Sequence, residues 1–195
     1  MSPGSPTLLL TGFGPFLDVH DNPSADLVRG FNGLQLAGVR VVSEVLPVSW
    51  ERASQRVLEL VRDHDPLAVI GFGVAARRVG VSVESRAHAR RVGADVDGVV
   101  GTDRAFGPSE VRATLNPARL AAAIEATVSE DAGSYICNAW LYEVASGCDV
   151  PTAFIHIPAA GMPHGQLELG LARWLASEGA HLSAVAAKRR SAGRV

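Results

Sequence analysis

Two side chains in this sequence have the chemistry to make and break an acyl bond. Cys137 lies in Ser134-Tyr135-Ile136-Cys137-Asn138-Ala139-Trp140, where a short apolar stretch runs into a helical pattern. A thiol at a helix N-terminus faces unpaired backbone N–H groups and the positive end of the helix dipole, and both favour thiolate. His156 lies in Ala153-Phe154-Ile155-His156-Ile157-Pro158, an apolar strand pattern whose proline brings the imidazole near a strand end. Lowering a thiol pKa from ~8.5 to ~7 takes about 2 kcal/mol. A helix N-terminus contributes ~0.3–2 kcal/mol, and a neighbouring imidazole can supply the rest. Position alone leaves the alternatives open, since a buried structural cysteine and a satisfied core histidine are both common. Together the two residues offer a nucleophile and a base for cysteine-dependent hydrolysis. Cys148, after the helix beside Gly147, sits at the unfavourable end of the dipole and reads as an incidental thiol.

Three further residues belong with this pair. Glu84 ends the alternation of Val79, Val81 and Val83. It is either an exposed carboxylate at a strand terminus or the acid that holds an imidazole in one tautomer. Phe13 and Phe16 flank Gly14-Pro15 in the first loop. They either pack that loop on the core or sandwich a small flat ligand at a strand end. His164 falls near a helix start, and His20, His64, His88 and His181 read as surface residues. The run Gly12-Phe13-Gly14-Pro15-Phe16-Leu17 lacks the third glycine of a dinucleotide fingerprint. No Cys-x-x-Cys pair, His-Glu-x-x-His helix or carboxylate cage occurs, so neither metal nor cofactor is expected.

The elements that must position these groups alternate between strand and helix. Strand patterns fall at residues 7–11, 39–46, 67–72, 79–83 and 151–157, with a very short candidate at 134–136. Helical patterns fall at 22–31, 51–63, 116–128, 137–147 and 166–177. Asn22-Pro23 and Asn116-Pro117 are helix-start signals. Residues 12–22 and 93–108 read as loops. This alternation argues for an α/β sandwich with helices on both faces of the sheet. Active groups then gather beyond strand ends, where Cys137 and the 12–22 loop both fall.

Composition narrows the function further. The 195 residues suit one catalytic domain over 1–185, with 186–195 as a solvated, flexible tail. Lys188 is the only lysine, which argues against Schiff-base or P-loop chemistry. A net charge of −2 gives no electrostatic case for nucleic acid. No apolar run approaches the roughly 18–20 residues that span a bilayer. No basic residue precedes Thr7–Leu10, so no signal peptide is expected. With two cysteines and no export signal, the expectation is a cytoplasmic protein with free thiols.

Four blocks together resemble the pyroglutamyl peptidase I (pyrrolidone-carboxylate peptidase) family of cysteine peptidases. They are Leu10-Thr11-Gly12-Phe13-Gly14-Pro15-Phe16 with Asn22-Pro23-Ser24, the stretch from Val79 to Glu84, Ser129 through Asn138, and Phe154-Ile155-His156-Ile157-Pro158. They occur in family order from about residue 10 to residue 158. The resemblance implies a three-layer α/β/α sandwich around a mixed, mostly parallel sheet. It implies Cys137 as nucleophile, His156 as base and then acid, Glu84 as third member, and Phe13 and Phe16 in a pyroglutamate pocket. It implies peptides with an N-terminal pyroglutamate as substrates, no metal, and homo-oligomers. Residues 73–78 and 85–91 depart from the family pattern, and no oxyanion arginine is assigned. These departures motivate one alternative, a non-catalytic binding homologue. A second is a nucleoside phosphorylase-like enzyme, with Arg77, Arg78, Arg90 and Arg91 as candidates for its anion site.

Overall fold

The computed structural model describes residues 5–16, 21–103 and 107–193. Its parallel core consists of β1 (Thr7–Phe13), β3 (Val39–Leu46), β4 (Ala68–Val74) and β9 (Thr152–Ile157). Around these run β2 (Gln35–Leu36), β5 (Ser82–Glu84) and β8 (Thr127–Ser129), completing seven strands in the order β2-β3-β1-β4-β9-β5-β8. β2 is antiparallel to β3 and β5 is antiparallel to β9, so the sheet is mixed but mostly parallel. A separate antiparallel pair joins β6 (Arg86–His88) to β7 (Glu110–Arg112).

Alternation along the strands feeds two helical layers. Leu8, Leu10, Ile70, Phe72, Ile155 and Ile157 pack on α1 (Pro23–Phe31), α3 (Pro117–Ile124) and α5 (His164–Ser191). Leu9, Phe13, Val69 and Phe154 face the other way, onto α2 (Arg52–His64) and α4 (Ile136–Gly147). The result is the expected three-layer sandwich. Period-two geometry places Gly71, Gly73, Ser82, Glu84, Phe154 and His156 on the α2/α4 side.

The Asn22-Pro23-Ser24 motif has a structural task. Asn22 Oδ1 accepts from the Ser24 N–H at 3.1 Å and caps α1, while Asn22 Nδ2 donates to the Gly14 carbonyl at 3.0 Å. Ser24 Oγ accepts from the Phe13 N–H at 3.0 Å. One helix start therefore fixes the exit of β1. The neighbouring His20 lies outside the described residues.

Four expectations need correction. The helix foreseen over 116–128 stops at Ile124, because Glu125 takes a left-handed conformation (φ 58°) and the chain turns into β8. Residues 134–136 make no strand; they lead into α4. The strand foreseen over 79–83 is Ser82–Glu84, with Val79 fully outside it and 98% exposed. The presumed tail from 186 continues α5 to Ser191, because Ala186 packs in the core and Arg189 is buried, donating to Asp65 and to the Pro66 carbonyl.

Candidate active site

The site forms where β4 and β9 end and α4 begins. Gly73 of β4 pairs with His156 of β9. A Cβ on Gly73 would lie 2.6 Å from Cys137 Sγ, so glycine is what admits the thiol to the sheet surface. Gly71, one pleat earlier, makes room for the rings of Phe154 and Trp140 in the same way. Cys137 is the second residue of α4, whose N-cap residue Tyr135 supplies no side-chain cap. Its backbone N–H points out of the first turn without an intrahelical acceptor.

His156 is buried. Its Nδ1 stands 2.7 Å from Glu84 Oε1, and the Cys137 sulfur, seated over Gly73 next to His156, lines the same cavity. Since the carboxylate engages Nδ1, Nε2 is the ring nitrogen left available to a second partner. Ser82 pairs with His156 and Glu84 with Phe154, so Glu84 reaches the imidazole diagonally across two strands. Burial disfavours charge on the ring, yet negative charge at the Cys137 sulfur and on the Glu84 carboxylate outweighs it and raises the histidine from 6.5 to about 9. The reading of Glu84 as an exposed strand-end carboxylate is thereby excluded, for it is 0% exposed.

Sequence reasoning missed several supports. Arg78, in the turn after β4, donates to Glu84 Oε1, to Ser82 Oγ and to the Asp131 carbonyl. Asn138 is fully buried; its amide binds the His88 N–H and the His88 and Arg90 carbonyls, which fastens β6 and the chain beyond it to α4. Tyr135 lies between Phe16 (centroids 6.2 Å) and Trp50 (5.3 Å, edge-on), and its hydroxyl donates to the Ala94 carbonyl at 2.7 Å. The one signal for Asn138 and Tyr135 was adjacency to the cysteine.

A cavity of about 490 Å³ opens on these groups, lined by Cys137, His156, Tyr135, Ala132, Gly133 and the 74–78 turn. Phe13 and Phe16 lie on the same side of the sheet but do not line it. Phe13 is buried against Phe154 (6.4 Å), and Phe16 is half-buried against Tyr135. Cys148 is a free thiol at the far end of α4, where burial pushes its pKa up. Of the arginines considered for an anion site, Arg78 is held by Glu84 and Arg91 by Glu143. Among the described residues no group of His, Cys, Asp or Glu could hold a metal ion, and no helix is long and apolar enough to cross a membrane.

A thiol, an imidazole and a buried carboxylate in series, at the C-terminal edge of a mostly parallel sheet, form the constellation of a cysteine-type hydrolase on an α/β/α sandwich. The sequence profile of the pyroglutamyl peptidase family matches residues 7–166, and the chain belongs to that family. It is 36% identical over 178 residues to the pyrrolidone-carboxylate peptidase of Deinococcus radiodurans, covering 79% of this chain and 78% of that protein. The namesake from Oceanobacillus iheyensis is 32% identical over 167 residues, covering 78% and 84%. Among solved structures, pyroglutamyl peptidase I of Bacillus amyloliquefaciens superposes with a TM-score of 0.79 at 26% identity, covering 91% of this chain and 98% of that one.

Proposed function

We propose that this protein is a cysteine exopeptidase that removes N-terminal pyroglutamate from peptides through a thioester intermediate. The observation that carries the reading is the grouping of Cys137 and His156 on one cavity, with Glu84 bound to the imidazole, in a chain of the pyroglutamyl peptidase family. Cys137 is the nucleophile. His156 takes its proton, the thiolate attacks the pyroglutamyl carbonyl, and the imidazolium protonates the leaving amine as the C–N bond breaks. Water then attacks the thioester with His156 as base, and the C–S bond breaks to return the thiol. The Cys137 N–H donates to the developing oxyanion, where one such donor is worth ~2.7–4 kcal/mol. Glu84 holds the imidazole in its reactive tautomer.

Pyroglutamate is a flat, neutral lactam without an α-amino charge, so aromatic faces suit it better than a carboxylate clamp. Tyr135 is the aromatic side chain that lines the cavity; Phe16 packs behind it and Phe13 lies deeper, against Phe154, so the expected two-phenylalanine slot gives way to a tyrosine face. A single catalytic domain working in the cytoplasm, as a homo-oligomer and without nucleic acid, completes the reading. The test is release of an amine reporter from a pyroglutamyl amide. Cys137→Ala should lower turnover by about 10⁴-fold or more, and equal rates in the two proteins would remove Cys137 from this role.

A further inference from the structure

We propose that Arg78 is a positioning residue for this reaction, counter-charging Glu84 so that His156 can give up its proton, and tying the Cys137 segment to the Glu84–His156 pair. The inference rests on the functional reading above and names a residue that reading does not use.

Arg78 joins three separate pieces of chain. Its own turn follows β4, closed by the Arg78 N–H donating to the Ala75 carbonyl at 2.9 Å. Its guanidinium reaches Ser82 and Glu84 on β5, the latter at 2.5 Å. It also reaches the Asp131 carbonyl, in the turn that leads to Cys137. That turn is closed on itself, with Asp131 Oδ1 accepting from the Gly133 N–H at 2.9 Å. A planar fork with donors on several edges can bridge three acceptors in this way; a lysine ammonium is a point charge on a flexible stem.

The charge argument is independent of the bridging. Both donors converge on Glu84 Oε1, while Glu84 Oε2 is buried without a partner among the described residues. A fully buried carboxylate must be compensated. With Arg78 present, a fixed cation shares that task with the imidazolium. Without it, the compensation falls on the proton of His156 alone. The titratable and charged groups facing His156 are Cys137 from α4, Glu84 from β5, and Arg78 from the turn after β4; Arg77, Asp131 and Tyr135 line the cavity beside them. Loss of the Arg78 cation therefore raises the proton affinity of the imidazole. An imidazolium pinned in this way cannot take the proton of the attacking water, so hydrolysis of the thioester slows.

The experiment compares wild type, R78M and R78K as full chains with two readouts. One is the pH profile of kcat/KM on a pyroglutamyl amide. The other is the pH profile of Cys137 alkylation by iodoacetamide without substrate, with the Cys137 and Cys148 peptides separated by mass. R78M should move the limbs of both profiles upward by about one pH unit. R78K should keep the limbs near their wild-type positions while lowering kcat through lost bridging. Unmoved limbs in R78M, with equal rate losses in R78M and R78K, would reduce Arg78 to a structural brace and overturn the proposal. Should circular dichroism find R78M unfolded, R78Q removes the same charge and is judged by the same limbs. A wild-type protein that releases no amine would instead sink the functional reading, and the alkylation profile would still decide the role of Arg78.

Discussion

Two carboxylates near opposite ends of the sheet are built from similar parts and do different things. Glu84, near the C-terminal edge of the parallel strands, accepts from His156 and Arg78 on one oxygen. Asp65, at the N-terminal edge where α2 turns into β4, accepts from Arg189 and Arg190. Each is a negative charge held by two cationic side chains. At Asp65, burial raises the pKa, but hydrogen bonds from Arg190 and Arg189 outweigh it and hold the carboxyl below the usual range. Neither guanidinium can release a proton, so this cluster only fastens the end of α5 to the start of β4. At Glu84 one of the two cations is an imidazole, and a thiol stands next to it. Replacing a permanent cation with a titratable one gives a clamp that can take up or release a proton.

The comparison breaks most visibly at Glu84. Glu84→Gln should lower kcat/KM by about 10³-fold with the fold retained, whereas Asp65→Asn should leave turnover unchanged. Near wild-type rates in Glu84→Gln would make the two clusters equivalent. Next in size is the opposite edge. Arg189 is almost fully buried, so Arg189→Ala should cost about 2–3 kcal/mol, below the full value for a buried pair because Asp65 keeps Arg190 and is partly solvated. A shifted urea midpoint with unaltered turnover is the expected result.

The pH dependence of stability separates the clusters again. The folded value of His156, about 9, lies above its ordinary 6.5. The folded state therefore binds that proton more tightly than the unfolded chain. The stabilisation is fully present below about pH 6.5 and is lost as pH rises through about 9. The melting temperature of wild type should fall between these limits more steeply than that of Glu84→Gln, and parallel curves would take Glu84 out of the linkage and leave it to Cys137. Smallest is Arg190→Ala, whose side chain is half exposed. A loss under about 1 kcal/mol is expected from thermal or urea unfolding.

Much of this was readable from residue order. Strand and helix alternation, the Asn-Pro helix starts and the buried strand around His156 carried the sandwich. The thiol at a helix start and the histidine two residues before a proline were each legible from local signals, while their grouping into one site came from the family resemblance rather than from spacing. What failed had no local signal. Glu125 ends α3 in a left-handed conformation more usual for glycine or asparagine, so the alanine-rich helix pattern ran on past it. The basic stretch from Lys188 to Arg190 looked solvated, yet Arg189 turns inward to a carboxylate 124 positions away. Arg77 and Arg78 looked like one charge pair; one is exposed and the other binds Glu84. Only Arg189 was decided by a partner far along the chain; Arg78 meets Glu84 six positions on, across a turn and onto the next strand, and Glu125 was decided by its own backbone conformation.

The separation between Glu84 and His156, 72 positions along the chain, has a consequence for biosynthesis. The acid and the cysteine both leave the ribosome before the imidazole does, because β9 is the last strand made. Until that strand docks between β4 and β5, the sulfur has no base beside it. Nascent chains arrested before residue 152 should alkylate no faster than free cysteine, with any gain in reactivity arriving only once β9 is in place.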